Sequence, residues 1–384
     1  MREALIVSTA RTPIGKAYRG AFNATSAQTL IGHAVSNAVS RAGLDGSEVE
    51  DCIVGCAIQQ GSTGGNVGRQ AVIRAGLPVT VAGMSLDRQC SSGMMAIATA
   101  AKQVITDGMD IAIGGGVESI SLVQNEKMRV DHLADAWIKE HKPALYMTML
   151  ETAETVAERY GVSREDQDAY ALQSQQRTAA AQEAGKFDDE IVGYTVKTRK
   201  GDTLVDKDEY IRHGATLEAM QKLRPAFSRD GTVTAGNASG LNDGAAAVLV
   251  MTEDEASRRG LTPLARIASY ATAGVDPAIM GSGPIPASRK ALEKAGWKIE
   301  DLDLVEANEA FAAQACAVNK DLGWNPEIVN VNGGAIAIGH PVGASGARVL
   351  TTLLYEMGKR DAKKGLATLC IGGGMGIAMC VERD

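Results

Sequence analysis

The sequence predicts an α/β fold made of two duplicated βαβ-rich halves, with a polar segment inserted into the first half. Three observations support this prediction. Strand-like apolar runs alternate with amphipathic helical stretches, a weak internal repeat relates the two ends of the chain, and the segment from about Glu118 to Asn242 interrupts that repeat. Alternating strands and helices are typical of largely parallel sheets covered by helices, so we expect mainly parallel strand pairing.

The internal repeat is visible as matching segments in the same order in both halves. Each half has an amphipathic helix followed by an acidic turn and a strand, then a Ser-Gly pair that opens a helix of small residues, then a strand that runs into three glycines. The matching pairs are 27–42 with 287–295, Val49–Gly55 with Ile299–Val305, Ser92-Gly93 with Ser345-Gly346, and Ile111–Gly116 with Thr368–Gly374. The offset between the copies grows slowly, as small loop insertions would produce.

The repeat sets the expected domain boundaries. Residues 1–117 together with 243–265 are expected to form the N-terminal half, 118–242 the inserted loop domain, and 266–384 the C-terminal half. The apolar run Gly244–Met251 is expected to be a buried strand that returns to the first half.

Composition and charge narrow the functional classes. The 384-residue chain has a formal net charge of −7, which argues against a nucleic-acid partner held by a generally basic surface. No apolar run reaches membrane-spanning length, and the chain enters a strand pattern directly after Met1, so neither a membrane partner nor a signal peptide is expected. Six scattered cysteines are typical of reduced thiols, which predicts a cytoplasmic location.

Cys90 is the first candidate for chemistry, because it lies where a strand-like run meets an Ala-rich helical run. A helix N-terminus can lower the pKa of a cysteine and favour the nucleophilic thiolate. The alternative is a buried cysteine that only packs as a small apolar residue. Cys52 and Cys56 share one strand face and are expected in the core or an interface, and no zinc site is expected because no further ligands lie at compact spacing.

Three further candidates lie in the second half. His340 lies between glycine-rich turns and could serve as a base, although a lone histidine in apolar surroundings is often a satisfied core residue. Asn308 could be a simple helix N-cap. Cys370 offers a second sulfur beside an open glycine turn, where Gly372 could present its N–H to an oxyanion. The glycine turns fit neither the dinucleotide-binding nor the Walker pattern.

Taken together, these segments resemble the thiolase family, the CoA-dependent acyltransferases that cleave or form 3-ketoacyl-CoA. The resemblance covers essentially the whole chain. It implies a fold of two similar halves stacked as five layers, αβαβα, with an inserted loop domain. The motifs that carry it are Gln89–Gly93, Asn237–Gly240, Asn308–Ala312, Gly339–Arg348 and Cys370–Gly374.

The resemblance implies a role for each candidate. Cys90 attacks the 3-keto carbonyl and carries the acyl group, and His340 takes its proton. Cys370 donates a proton to the departing acetyl-CoA enolate or removes it in the reverse direction, which requires a pKa near neutrality. One oxyanion site uses His340 and a water held by Asn308, and the other uses the backbone N–H groups of Cys90 and Gly372.

The resemblance also implies the ligands. Coenzyme A and acyl-CoA are substrates, no cofactor is tightly bound, and no metal is required. Arg212, Ser239 and Met149 are expected to contact CoA. The protein is expected to be a homodimer or homotetramer, and the strand near Cys52 is the candidate for the subunit interface.

One departure and one resemblance bear on the substrate. Many thiolases carry His-Met-Gly where this chain has Thr148–Leu150, so the pocket around the pantetheine and acyl chain is expected to differ. The motif around Cys90 resembles the degradative branch, so we expect thiolytic cleavage of 3-ketoacyl-CoA to acetyl-CoA and a shortened acyl-CoA, as in fatty-acid β-oxidation. The alternative is an acetoacetyl-CoA-specific biosynthetic acetyltransferase.

Two other classes are weighed against a thiolase. A ketoacyl synthase shares the duplicated fold and the nucleophilic cysteine, but it pairs that cysteine with His-His or His-Asn, so Cys370 argues against it. A non-catalytic acyl-CoA or lipid carrier on the same scaffold would have no need of Cys90, His340, Asn308 and Cys370 together.

Overall fold

A computed structural model describes residues 2–199 and 201–384, so Met1 and Lys200 lie outside the described residues. The strands are β1 (Ala4–Arg11), β2 (Gly15–Lys16), β3 (Asp51–Gly55), β4 (Ala82–Leu86), β5 (Ile111–Ser119), β6 (Tyr194–Thr198), β7 (Gly201–Val205), β8 (Asn242–Thr252), β9 (Ala265–Gly274), β10 (Leu304–Ala307), β11 (Lys364–Ile371) and β12 (Met375–Glu382). The α-helices are α1 (Ala27–Arg41), α2 (Val67–Arg74), α3 (Ser92–Thr106), α4 (Ile120–Val123), α5 (Ala136–His141), α6 (Met149–Tyr160), α7 (Arg164–Glu183), α8 (Leu217–Gln221), α9 (Glu253–Arg258), α10 (Pro284–Ala295), α11 (Ala312–Leu322), α12 (Ala335–Ile338) and α13 (Val342–Arg360). Short 3₁₀ turns lie at Gly46–Glu48, Gly61–Thr63, Gln89–Ser91, Pro143–Tyr146, Pro277–Ser282, Ile299–Asp301 and Pro326–Ile328.

The strand order shows the duplication directly. The large sheet runs β10-β11-β12-β9-β1-β8-β5-β3-β4, with β2 paired to β8. Each half has a parallel pair, β3 with β5 and β10 with β11. In the first half β5 then pairs antiparallel with β8, and in the second half β11 pairs antiparallel with β12. A short antiparallel contact between β1 and β9 joins the two half-sheets. The predicted duplication is confirmed.

The expectation of mainly parallel pairing is wrong, because the strands that complete each half run antiparallel to their neighbours. In the second half, β11 and β12 are joined by the turn Gly372–Gly374 and not by a helical crossover. Gly373 and Gly374 have φ values of 81° and 86° there, a conformation that favours glycine and reverses the chain at once. In the first half, β8 enters the sheet after the long inserted segment.

The two half-sheets and their helices form five layers. α1 and α2 cover the outer face of the first half-sheet, and α10 covers that of the second. α3 and α13 pack against each other in the middle, between the half-sheets. Their first turns approach closely, since a Cβ on Gly93 would lie only 3.0 Å from the carbonyl oxygen of Gly343. The predicted αβαβα arrangement is confirmed, and its central layer brings the starts of two helices from different halves together.

The inserted segment contains α4 to α8 and the separate hairpin β6–β7. A buried ion-pair cluster ties it to the first strand of the large sheet. Arg11 contacts Glu190 at 2.7 Å and Asp208 at 2.8 Å, and all three side chains are buried. These carboxylates hold the pKa of Arg11 above its ordinary value. Removing one partner of such a buried pair typically costs about 3–5 kcal/mol, so the cluster anchors the insertion firmly.

The return strand predicted at Gly244–Met251 lies within β8. The domain boundaries at 117/118, 242/243 and 265/266 stay predictions, but β5 continues to Ser119, so Glu118 lies on a strand of the first half. Among the helices of the described residues, none combines the length and apolar character needed to cross a membrane.

Candidate active site

Cys90 lies in the tight 3₁₀ turn between β4 and α3. The preceding residue, Gln89, has a φ of 48°, the left-handed region that non-glycine residues rarely adopt. Ser92 stabilises the turn, because its hydroxyl accepts from the N–H of Arg88 at 2.8 Å and donates to the carbonyl of Gln89 at 2.7 Å. A strained turn of this kind at a strand-to-helix junction is typical of a nucleophile that must face a substrate.

The expected lowering of the Cys90 pKa by the start of α3 is wrong. Burial outweighs it and raises the pKa of the thiol to about 11. The nearby backbone N–H groups of Gly372 and of Cys90 itself oppose this rise. Cys90 is therefore held as a thiol at neutral pH, and its attack requires a base that accepts the proton.

Cys370 and Gly372 lie next to Cys90, at the end of β11. The two N–H groups predicted as one oxyanion site, those of Cys90 and Gly372, both favour negative charge at the Cys90 sulfur by lowering its pKa. Cys370 is buried, and burial raises its pKa well above the ordinary value, with a further rise from the neighbouring Cys90. The pKa near neutrality expected for Cys370 is therefore not seen, because its apolar surroundings disfavour the thiolate.

Asn308 follows β10, and its N–H donates to the carbonyl of Thr368 on β11 at 2.9 Å. The N-cap alternative is wrong, because α11 begins only at Ala312. Both polar atoms of the Asn308 side chain are buried, and neither has a hydrogen-bond partner among the described residues. Leaving a buried amide unpaired costs about 1–3 kcal/mol per group, so this side chain is suited to hold a water or a ligand oxygen.

His340 lies just before α13 and is held on one side only. Its N–H donates to Asn242 Oδ1 at 3.0 Å, and its Nδ1 lies 2.6 Å from Ser345 Oγ. Ser345 Oγ also lies 3.0 Å from the carbonyl of Pro341, which can only accept. Both contacts are hydrogen bonds together only if Nδ1 carries the ring proton and donates to Oγ. Nε2 then keeps a lone pair, with no hydrogen bond to a described residue.

The charge state of His340 suits a base. Burial and, to a lesser extent, the positive charge of Arg348 together lower its pKa to about 4. The ring is therefore neutral at pH 7 and able to accept a proton. The alternative of a satisfied core histidine explains only the Nδ1 side of the ring.

One loop connects the motifs of the second half. The N–H of Ser239 donates to the carbonyl of Ala310 at 3.0 Å, and the carbonyl of Asn237 accepts from the N–H of Ala312 at 2.8 Å. Asn242, at the end of the same loop, binds His340. The loop therefore sets the position of the segment after Asn308 relative to His340.

The residues expected to contact CoA lie around this region. Met149 begins α6 and covers the glycine turn, with its sulfur 3.6 Å from the place where a Cβ on Gly372 would lie. Arg212 is exposed, and its guanidinium donates to the carbonyl of Ala235 at 3.0 Å, at the start of the loop that carries Ser239. No described contact joins Arg212 to Cys90.

Comparison with known proteins agrees with this geometry. The model of the thiolase N-terminal domain matches residues 4–254, and that of the thiolase C-terminal domain matches residues 261–383. The chain belongs to the thiolase family. The prediction of a thiolase-type acyltransferase is thereby confirmed at the level of the family.

Three similar proteins cover nearly the full length. An acetyl-CoA acetyltransferase of Paracoccus denitrificans is 60% identical over 100% of both chains. The crystal structure of the Bacillus anthracis acetyl-CoA acetyltransferase is 44% identical with a TM-score of 0.92, and covers 100% of this chain and 99% of that one. The structure of human mitochondrial 3-ketoacyl-CoA thiolase has the same TM-score and coverage at 40% identity.

Sequence reasoning did not assign roles to Asn242 and Ser345, which hold the backbone and the ring of His340. Ser345 stands five residues after His340 in the first turn of α13, so its spacing could have suggested the contact. Asn242 is 98 positions away in the chain, and only the fold brings it to His340. All six cysteines are free, and the described residues contain no cluster of His, Cys, Asp or Glu that could hold a metal ion.

Proposed function

We propose that this thiolase is an acetyl-CoA acetyltransferase, which forms acetoacetyl-CoA from two acetyl-CoA molecules and cleaves it with CoA. The observation that carries the proposal is the 60% identity, over the whole of both chains, to a protein named acetyl-CoA acetyltransferase. This favours the acetoacetyl-CoA alternative over the degradative 3-ketoacyl-CoA prediction, since the human 3-ketoacyl-CoA thiolase is only 40% identical.

The packing around Cys370 supports a short acyl group. Leu150 packs against the apolar cluster that contains Cys370, at a position where many thiolases carry glycine. Met149 lies over Gly372, whose backbone N–H lowers the pKa of Cys90. Met149 lies over the turn that follows Cys370, and Leu150 packs against the same apolar cluster as Cys370. We infer that these bulky side chains narrow the space for the acyl group, which favours a substrate with one methyl group beyond the keto carbon.

Thiolysis begins when Cys90 Sγ forms a bond to the keto carbon of acetoacetyl-CoA and its proton passes to His340 Nε2. The negative charge moves to the keto oxygen, and the N–H groups of Cys90 and Gly372 stabilise it. Because the thiol of Cys90 has a raised pKa and His340 is neutral, proton transfer accompanies the attack.

The carbon–carbon bond then breaks. Its electron pair leaves with acetyl-CoA as an enolate, while the carbonyl re-forms on the acetyl group attached to Cys90. Cys370 donates its proton to the enolate carbon, and its raised pKa keeps that proton available. Asn308, with its unpaired side chain, and His340 stabilise the enolate oxygen, with Asn308 acting through a water. The thiol of a second CoA then gives its proton to the Cys370 thiolate, and its sulfur takes the acetyl group from Cys90. Cys90 Sγ leaves as the thiolate and recovers its proton from His340, and the reverse sequence is the condensation.

CoA is proposed to bind as a substrate along Met149, Ser239 and Arg212, with no tightly bound cofactor. The exposed guanidinium of Arg212 is suited to a phosphate of the nucleotide. We also propose a cytoplasmic homodimer or homotetramer. The strand near Cys52, which was predicted to join the subunits, is β3 and is paired on both sides by β4 and β5, so we propose instead that its neighbour β4, one of the two edge strands, forms the interface.

A chain-length series tests the proposal. Initial thiolysis rates are measured with acetoacetyl-CoA and with 3-ketoacyl-CoAs of six, eight and ten carbons, and kcat/KM is compared. We expect a preference for acetoacetyl-CoA of at least tenfold, about the discrimination one or two methylenes can produce in a fitted pocket. The Leu150→Gly variant is the matched comparison, and it should accept the longer substrates better. Equal or higher kcat/KM with ten carbons in the unaltered protein would restore the degradative prediction.

A further inference from the structure

Glu118 is a buried carboxylate at the end of β5, fully shielded from solvent. Its Oε2 accepts from the N–H of Gly343 at 2.8 Å and from that of Ala57 at 3.0 Å. Its Oε1 accepts from the N–H of Ile58 and from the Cys56 thiol, each at 3.3 Å. One side chain of the first half therefore binds the first turn of a helix in the second half.

That helix, α13, has no N-terminal cap of its own. Its N-cap residue is Pro341, which has no side chain able to accept, and its first turn contains no acidic residue. By contrast, α6 and α7 have complete capping boxes from Thr148 and Ser163. The first N–H groups of a helix need acceptors, and a negative charge there is favourable to the helix dipole. Glu118 supplies both to α13 from another strand.

The capped turn is the one that holds His340. Gly343 is three residues after His340, and Ser345, which binds the His340 ring, is in the same turn. Gly343 fits so tightly that a Cβ there would lie 2.7 Å from both Cys56 Cα and the Val117 carbonyl. The start of α13 is thus fixed against β3 and β5, which belong to the half that carries Cys90.

We propose that Glu118 is a positioning residue for acyl transfer. It caps α13 from the opposite half and so holds His340 in position relative to Cys90. The inference rests on the proposed function. It differs from a purely structural role in one respect: the fall in acetylation rate on removing Glu118 depends on the presence of His340.

The test measures single-turnover acetylation of Cys90 by acetoacetyl-CoA in Glu118→Gln and Glu118→Ala. The Gln variant keeps an oxygen for Gly343 and Ala57 and loses the acceptor for Ile58, so we expect a fall of about threefold to tenfold in the acetylation rate. The Ala variant leaves all these N–H groups unpaired, and we expect a fall of about 100-fold, with KM for CoA little changed. Asp51→Asn is the matched control. Asp51 is a buried carboxylate at the opposite end of β3 that binds Gln103 and the backbone of Cys52, and its removal should leave the rate unchanged.

A double variant separates positioning from stability. In a His340→Ala background, Glu118→Gln should cause almost no further loss, because the step it supports is already gone. An equal loss in both backgrounds, or a Gln variant whose rate matches that of Asp51→Asn, would overturn the inference. If Glu118→Ala does not fold, the Gln series decides alone. No acetylation in the unaltered protein would refute the proposed function instead, which keeps the two failures distinct.

Discussion

Replacing Ser345 by alanine removes the only described hydrogen bond to the ring of His340. The Nδ1–H of the buried ring then has no acceptor, where it now meets Ser345 Oγ at 2.6 Å. An unpaired buried donor costs about 1–3 kcal/mol, and this cost falls on the tautomer that leaves Nε2 free to accept a proton. At 1.36 kcal/mol for each factor of ten, we expect acetylation of Cys90 to slow by about tenfold to 100-fold.

The assay is rapid-quench acetylation of Ser345→Ala by acetoacetyl-CoA, followed by intact-mass analysis. KM for CoA should change little, since Ser345 is buried behind His340. The matched control is Ser288→Ala: Ser288 is equally buried in α10, but its hydroxyl has no hydrogen-bond partner among the described residues, so its loss should be neutral. If Ser345→Ala acetylates at the rate of Ser288→Ala, the assignment of the ring proton to Nδ1 and of the base to Nε2 is refuted.

Three further predictions follow from the same geometry. The pKa of His340 is lowered from 6.5 to about 4, so the stability that its neutral ring contributes is fully present above pH 6.5 and is lost as the pH drops toward 4, by about 3 kcal/mol. Urea unfolding should show this loss, and His340→Gln should flatten the dependence of the free energy of unfolding on pH. An unchanged pH dependence in that variant would contradict the prediction. Gly116→Ala should abolish acetylation or folding, because its Cβ would collide with the carbonyl of Gly343, and near-normal activity by the thiolysis assay would disprove that packing. Arg212→Ala should raise KM for CoA by about tenfold with kcat little changed. Arg229, another exposed arginine of the inserted segment, provides the comparison, and Arg229→Ala should leave KM for CoA unchanged; a fall in kcat alone in Arg212→Ala would remove Arg212 from the CoA site.

The sequence was sufficient for those features that repeat or that lie close together in the chain. The matched segments around Ser92 and Ser345 predicted the duplication, because each copy repeats the same local pattern. The placement of Cys90 between a strand and a helix was correct for the same reason. The interpretation of Asn308 as a helix N-cap was wrong, since capping preference is local and the loop that carries Ser239 holds this segment in a non-helical conformation up to Ala312.

The properties that depend on burial could not be predicted from the sequence. The pKa of Cys90 rises because of the protein packed around it, and a helix start alone suggested the opposite. Strand direction depended on the Gly372–Gly374 turn, which reverses the chain where a crossover was expected. The contact between Glu118 and Gly343 joins residues 225 positions apart and is visible only in the fold.

In the proposed mechanism, Cys90 carries the acetyl group while His340 and Cys370 move protons. Intact-mass analysis with peptide mapping after brief incubation with acetoacetyl-CoA, without added CoA, tests it most directly. We expect one acetyl group per chain, located on the peptide that contains Cys90. This acetyl group should be absent in Cys90→Ala and should be removed when CoA is added. An acetyl group on Cys370, or none in the unaltered protein, would contradict it.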